Sequence, residues 1–478
     1  MIVANSWGIA ARGRGARARV AAGLALLLAT SVLVAGQGVL APAQAAPAVT
    51  PAAAPAAARA AAPSVAAGRK PNPAYVVTPG ITFNHPFRNG QRGKIHHKIA
   101  ATLRNVPAGA TVRVITWNFD SPYLAHRFIR AHERGVTVQI IMSRGLARSQ
   151  GRNLARSYPM VQRAFSRGNK GRPEELKSWI RTCRQTCRGK RGSMHSKLML
   201  VSRSGATNWI VMQGSGNLTG AAAVQQFNDW TTVTENQPLY DGWMQMWNQA
   251  IQDRNFPALR FTTGNITTMF APHKGEVDPA LSVLNKVQCT GATNTASGRT
   301  KVRVANAVWG EERGARIARK VRQLDRQGCD VEIVFMMMQR HIRGILRGMR
   351  AKQMVYITGL TANKFKDRYV HMKGLAVQGN VDGRPDGNVV LSSSENWTRL
   401  GWHSDEENII IRDDAAMTQK YVDHVDLIYR EAPRTLSNYV NSADPDPTPR
   451  PRGGVADRNS RYLGPKDYPF HELEAELS

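Results

Sequence analysis

The sequence predicts an α/β fold of two similar halves, each an α/β/α sandwich with a mixed, largely parallel sheet and flanking helices, packed about a pseudo-twofold. Three observations predict it. A strand, helix, strand unit occurs twice; a His-x-Lys motif follows each copy; and a small-residue stretch ending in Asn follows each motif.

The first unit opens with Thr111 to Trp117, which alternates polar and apolar residues as a strand does. Tyr123 to Arg134 then carries apolar residues at helical spacing, and Gly135 to Ile141 returns to a strand pattern. The second unit repeats the order, with a strand at Lys301 to Asn306, a helix at Ala315 to Arg326 and a strand from Gly328 to Val334. Gly135 and Gly328 take matching places as helix stops. Strand, short helix and strand in succession imply a parallel pair joined by a right-handed crossover. Two copies imply two halves, placed at residues 74–270 and 271–440.

The chain of 478 residues is too long for one ordinary domain and can bury a large core. Its 65 Lys and Arg stand against 34 Asp and Glu, a formal net charge of +31. Such a surface attracts anions, which restricts the partners to phosphate-bearing substrates, nucleic acids, acidic lipid surfaces or anionic polymers.

Arg12, Arg14, Arg17 and Arg19 precede an apolar run from Val20 to about Ala35, and small residues surround Ala43-Gln44-Ala45. This is the pattern of a Sec-type signal peptide over residues 1–45, so the mature protein is expected to be secreted. An uncleaved anchor is the competing reading, but the run is short for a bilayer span. Losing the four arginines would leave the mature chain at +27. Residues 46–73 read as an Ala/Pro-rich linker and 441–478 as a Pro- and Arg-containing tail.

Four cysteines suit an oxidising compartment. Pairing Cys183 with Cys187 and Cys289 with Cys329 is the most economical of the three possible connectivities. A zinc site from Cys183, Cys187 and His195 is the rival reading, and it lacks a second cysteine pair of metal-ligand spacing.

The chemistry lies downstream of each repeat. Met194-His195-Ser196-Lys197 is followed by an apolar run and then by Gln213-Gly214-Ser215-Gly216-Asn217. Val370-His371-Met372-Lys373 is followed by an apolar run and then by Ser392-Ser393-Ser394-Glu395-Asn396. His and Lys two positions apart in extended chain project from one face and can share a substrate.

These paired motifs resemble those of the phospholipase D superfamily, over roughly residues 80 to 435 of this chain. The resemblance implies a metal-independent and cofactor-free phosphodiesterase. One imidazole forms a covalent phosphohistidine while the other protonates the leaving alcohol and later activates water. It further implies that His195 is the nucleophile, and that Lys197, Lys373, Asn217 and Asn396, with Ser215 and Ser394, hold the phosphate. The superfamily places an acid after its Asn, and Asp229 and Glu407 stand at nearly matching intervals, which assigns them to orient the two rings. The family's Asp five positions beyond each Lys is replaced by Ser202 and Gln378, and the second Gly-Ser pair is Ser393-Ser394.

The remaining histidines lack a repeated Lys and Asn context and are assigned to packing or surface. Met336-Met337-Met338 continues a strand into the core. Arg184, Arg188, Lys190 and Arg191 precede His195 and either line the substrate mouth or lie solvated in a loop. The function expected is headgroup hydrolysis at a phospholipid or membrane surface by a monomer. A nuclease of the same superfamily is the alternative, which the charge suits, and a non-catalytic binder of anionic polymers is a third.

Overall fold

A computed structural model describes residues 70–144, 147, 157–184, 186–273, 277–356 and 368–435. The segment expected to be a signal peptide, most of the expected linker and the expected tail lie outside the described residues.

Both strand, helix, strand units form. Thr111–Thr116 pairs in parallel with Thr137–Met142 across the helix Pro122–Glu133, and Lys301–Trp309 pairs in parallel with Asp330–Met338 across the helix Glu311–Arg326. The helices end alike. Gly135 and Gly328 adopt φ of 96° and 93°, a left-handed geometry that glycine enters without steric cost. Beyond each glycine, the Val136 and Cys329 N–H groups return to the Ala131 and Leu324 carbonyls.

The first unit sits in a seven-stranded sheet and the second in a nine-stranded one. In each, the chain after the His-x-Lys motif makes an antiparallel hairpin, Leu198–Ser204 with Thr207–Gly214 and Lys373–Val381 with Arg384–Ser393. The second hairpin turns on Asp382-Gly383, both with positive φ, the geometry that two-residue hairpin loops require. These hairpins bring each Asn stretch back beside its Lys: the Gly214 N–H donates to the Lys197 carbonyl at 3.2 Å. Both sheets are mixed as expected, but antiparallel pairs outnumber parallel ones in each, because parallel pairing is confined to the repeated units and the short strands beside them.

Among the described residues, apolar side chains segregate into three cores. One joins the seven-stranded sheet to its outer helices through Val112, Phe128 and Phe165, and another does the same for the nine-stranded sheet through Val304, Ile317 and Val321. The third lies between the halves. It draws Leu198 and Val211 from one sheet and Val334, Met336 and Met337 from the other, with the helices Gln237–Ala250 and Ala415–Glu431. The methionine run is thus core. The boundary between halves differs from the expected residue 270, since Leu259–Thr263 and Ile266–Phe270 hydrogen-bond into the nine-stranded sheet. Pairing with Glu407–Arg412 draws them there, a long-range choice that local pattern does not encode.

Disulfides join Cys183 to Cys187 and Cys289 to Cys329. Among the described residues no helix is long and apolar enough to cross a membrane.

Candidate active site

Each motif histidine leaves its own half and pairs with the other. Met194 bridges Asp405 in parallel and the His195 N–H donates to the Asp405 carbonyl at 2.9 Å. Correspondingly, Val370 pairs in parallel with Phe227 and the His371 N–H donates to the Phe227 carbonyl at 3.0 Å. This register sets each ring beside the next residue of the opposite half, Glu406 and Asn228. His195 Nδ1 lies 2.8 Å from a Glu406 carboxylate oxygen, and His371 Nδ1 lies 3.0 Å from Asn228 Oδ1.

Sequence spacing assigned the orienting contacts to Asp229 and Glu407, and the structure moves both by one residue. Successive side chains of an extended segment point to opposite sides, so a one-residue change selects different partners. Asp229 instead accepts from the Ser392 hydroxyl at 2.7 Å, and Glu407 accepts from the Lys197 N–H at 2.9 Å. Burial raises both carboxyls, Glu407 to about 7.

The hydroxyls of Ser215 and Ser394, which the sequence assigned to the phosphate, brace these orienting groups. Ser215 Oγ donates to Asn228 Oδ1 at 3.0 Å, and Ser394 Oγ donates to Glu406 at 2.6 Å. Each hydroxyl also accepts a backbone N–H from the residue beyond, Asp229 at 3.0 Å and Glu407 at 3.1 Å.

These contacts define the protons. Lys197 Nζ lies 2.9 Å from His195 Nε2, and an ammonium has only donors, so Nε2 carries the lone pair and Nδ1 the hydrogen facing Glu406. The Asn228 amide is oriented by its own bonds: Nδ2 donates to Gln226 Oε1 at 2.9 Å and to the Ala222 carbonyl at 3.3 Å. Its oxygen therefore faces His371 Nδ1, which donates. Lys373 Nζ donates to the His371 carbonyl at 2.9 Å. Trp117 and His195 pack edge to face, with 5.3 Å between ring centroids.

The two motif asparagines are anchored through their carbonyls. His96 Nε2 lies 3.3 Å from the Asn217 carbonyl, and burial lowers that histidine to about 4, so it bonds as a neutral ring. Arg313 Nη1 donates to the Asn396 carbonyl at 3.1 Å. The same guanidinium meets Asp278 at 2.7 Å and Glu395 at 2.8 Å, all three fully enclosed. Burial opposes the Asp278 charge, yet Arg313 beside it holds that carboxyl below its usual range, whereas Glu395 is pushed up to about 7.

His195 is 2% exposed and His371 0%. The cavity at His195 is small, about 10 Å³, and is lined by Asn396, Thr398, Leu400 and Glu406 among others. Exclusion of solvent strengthens each charge interaction there. No group of three or more His, Cys, Asp and Glu side chains among the described residues is placed to hold a metal, and the Cys183–Cys187 disulfide leaves no thiolates for zinc. Arg188 is neither at a mouth nor solvated. It is buried, with its guanidinium donating to the Ala271 carbonyl at 2.6 Å and the Pro257 carbonyl at 2.9 Å. Ser202 and Gln378, at the family's Asp positions, make structural bonds: Ser202 Oγ accepts from the Thr111 N–H at 2.9 Å and Gln378 donates to Gln419 at 2.9 Å.

A family model described as "Cardiolipin synthase, PLD-like domain" matches residues 106–249 and 294–428, one match in each half and more than half of the chain together. The chain belongs to the phospholipase D-like family. Its chemistry is accordingly that of a phosphodiester-acting enzyme. No curated protein matches in sequence. Among solved structures, a phosphatidylserine synthase of Haemophilus influenzae Rd KW20 is 13% identical, over 74% of this chain and 86% of that one, with a TM-score of 0.49. A polyphosphate kinase from Porphyromonas gingivalis is 11% identical over 73% of this chain, with a TM-score of 0.46, and the match spans only 50% of the kinase. The phospholipase D family member Nuc from Salmonella typhimurium is 18% identical, over 37% of this chain and 96% of that one, with a TM-score of 0.28.

Sequence reasoning missed Asn228, Glu406, His96 and Arg313. Only the first two had a legible signal, since each directly precedes an acid that the repeat had singled out.

Proposed function

We propose that this phospholipase D-like protein is a secreted hydrolase that releases the headgroup of a phospholipid, with His195 as nucleophile and His371 as acid and then base. One observation carries the assignment of roles: a carboxylate stands behind His195 and a neutral amide behind His371. His195 gains positive charge as Nε2 bonds to phosphorus, and Glu406 stabilises that charge. His371 must give a proton away, and Asn228 gives its cation no carboxylate to hold it.

In the first step Nε2 of His195 attacks phosphorus, the bond to the headgroup oxygen breaks, and a proton passes from His371 to that oxygen. In the second, His371 takes a proton from water, the water oxygen bonds to phosphorus, and the bond to His195 breaks. Lys197, Lys373, Asn217 and Asn396 would hold the nonbridging oxygens, the positioning on which phosphoryl transfer depends. The family description names a lipid-forming enzyme, which supports a lipid substrate. The amino-terminal pattern and two disulfides support export.

The test offers the chain from residue 46 phosphatidylcholine vesicles and plasmid DNA in EDTA, beside His195→Ala and His371→Ala. Loss of choline turnover in both variants is expected, with a phosphorus adduct trapped on His195 and no more than one equivalent of choline released per chain in His371→Ala. DNA nicking without choline release would transfer the reading to a nuclease, and activity surviving in His195→Ala would end the role assignment.

A further inference from the structure

Outside the active site, the described residues form a groove of about 570 Å³ lined by Arg319, Arg322, Gln323 and Arg326 of the helix Glu311–Arg326, by Gln327 that caps its end, and by Gly344 and Ile345 beyond it. We infer that this groove binds the phosphate of an anionic phospholipid headgroup and docks the enzyme on acidic lipid surfaces. The inference rests on the lipid reading of the active site for its choice of ligand.

Three arguments carry it. The volume falls within the range of small-molecule clefts, about 300 to 1,000 Å³. Every charged lining residue is an arginine, whose planar fork matches phosphate oxygens, and the two glutamines add neutral donors. Two acids pair with these arginines, Glu312 with Arg319 and Asp325 at 3.5 Å from Arg322, but neither is among the lining residues, and Arg326 has no such partner among the described residues. The Nε of Arg322 is enclosed and has no hydrogen-bond partner among the described residues.

The lining decides between anions. Its described residues include no aromatic ring on which a base could stack, the usual device of single-strand binding, but do include the aliphatic Ile345. Position supports the same ligand. Arg313, which anchors the Asn396 carbonyl, lies in the first turn of the helix whose later turns line the groove, and at 1.5 Å per residue Arg319 lies about 9 Å further along the axis. Exposed Arg316, over the Trp402 ring at 5.5 Å, adds another cation on the same helix.

The experiment compares the chain from residue 46 with its Arg319→Gln/Arg322→Gln/Arg326→Gln form, and with a charge-matched control, Arg130→Gln/Arg163→Gln/Arg167→Gln, taken from exposed positions of the other half. Sedimentation with vesicles of phosphatidylcholine alone, or with added phosphatidylglycerol, reads binding in EDTA; thermal melts confirm folding. Loss of about fivefold per arginine, near a hundredfold in all, is expected for the groove variant on phosphatidylglycerol vesicles. The control should retain most binding, and all three chains should hydrolyse a soluble short-chain phospholipid equally. Equal loss in control and groove variant overturns the site in favour of net charge. Groove-dependent binding of a single-stranded oligonucleotide in preference to vesicles overturns the ligand. If no chain cleaves lipid, yet only the groove variant loses the vesicles, the active-site reading fails and the groove stands.

Discussion

The two halves share a topology but support their chemistry differently. On the seam of the amino-terminal half, the group behind the opposite histidine is the neutral Asn228, and the Asn217 carbonyl is met by the neutral His96. On the carboxy-terminal half both places are charged, by Glu406 and by Arg313. Duplication supplied two equivalent frames, and the charges placed within them are what separate a ring that accumulates charge from one that surrenders a proton.

Glu406→Gln attacks this comparison most directly. It removes the charge behind His195, and kcat on a phosphodiester should fall about 10²- to 10⁴-fold, as for other orienting carboxylates. A loss no greater than that of Asn228→Ala would dissolve the distinction between halves. Arg313→Met leaves Asp278 and Glu395 enclosed without their cation, which should cost about 3–5 kcal/mol in urea unfolding. Arg313→Lys should recover part of that stability, while His96→Gln, at a neutral anchor, should cost far less.

Asn228→Asp makes the halves alike. A carboxylate would hold the His371 proton more tightly, so the alkaline limb of the pH–rate profile should move up by about one unit and kcat should fall about tenfold. The smallest effect concerns Glu407. Its carboxyl titrates near 7 when folded and near 4.3 as a free side chain. The folded chain therefore binds a proton that the unfolded chain has already released, and this contribution to stability is present at acid pH and lost as pH rises towards 7. Glu407→Gln should flatten that slope by on the order of 1 kcal/mol between pH 5 and 7.5 in denaturant titrations. An unchanged slope would place the dependence elsewhere.

The repeated units, their glycine stops and the strand after each His-x-Lys were legible because each is built from residues close in sequence. So were both disulfides, from cysteine number and spacing. The orienting pair was legible only to within one residue. Spacing after Asn217 and Asn396 located the right segments, but the choice between Asn228 and Asp229, or between Glu406 and Glu407, depends on a parallel pairing with a strand from the opposite half. Arg188 shows the same limit from another side. In sequence it belongs to a basic loop, and only the carbonyls of Ala271 and Pro257, far along the chain, give its guanidinium a buried place. Arg313 left no sign, since its partners Asp278 and Glu395 come from separate segments.

The crossed support of His195 by Glu406 and of His371 by Asn228 bears on how such a molecule can change over generations. A gene fragment encoding either repeat alone would specify a ring without its steadying neighbour. Drift in one copy is consequently felt at the other copy's chemistry, so the two are bound to a common fate, and specialisation has to proceed as a joint adjustment of both.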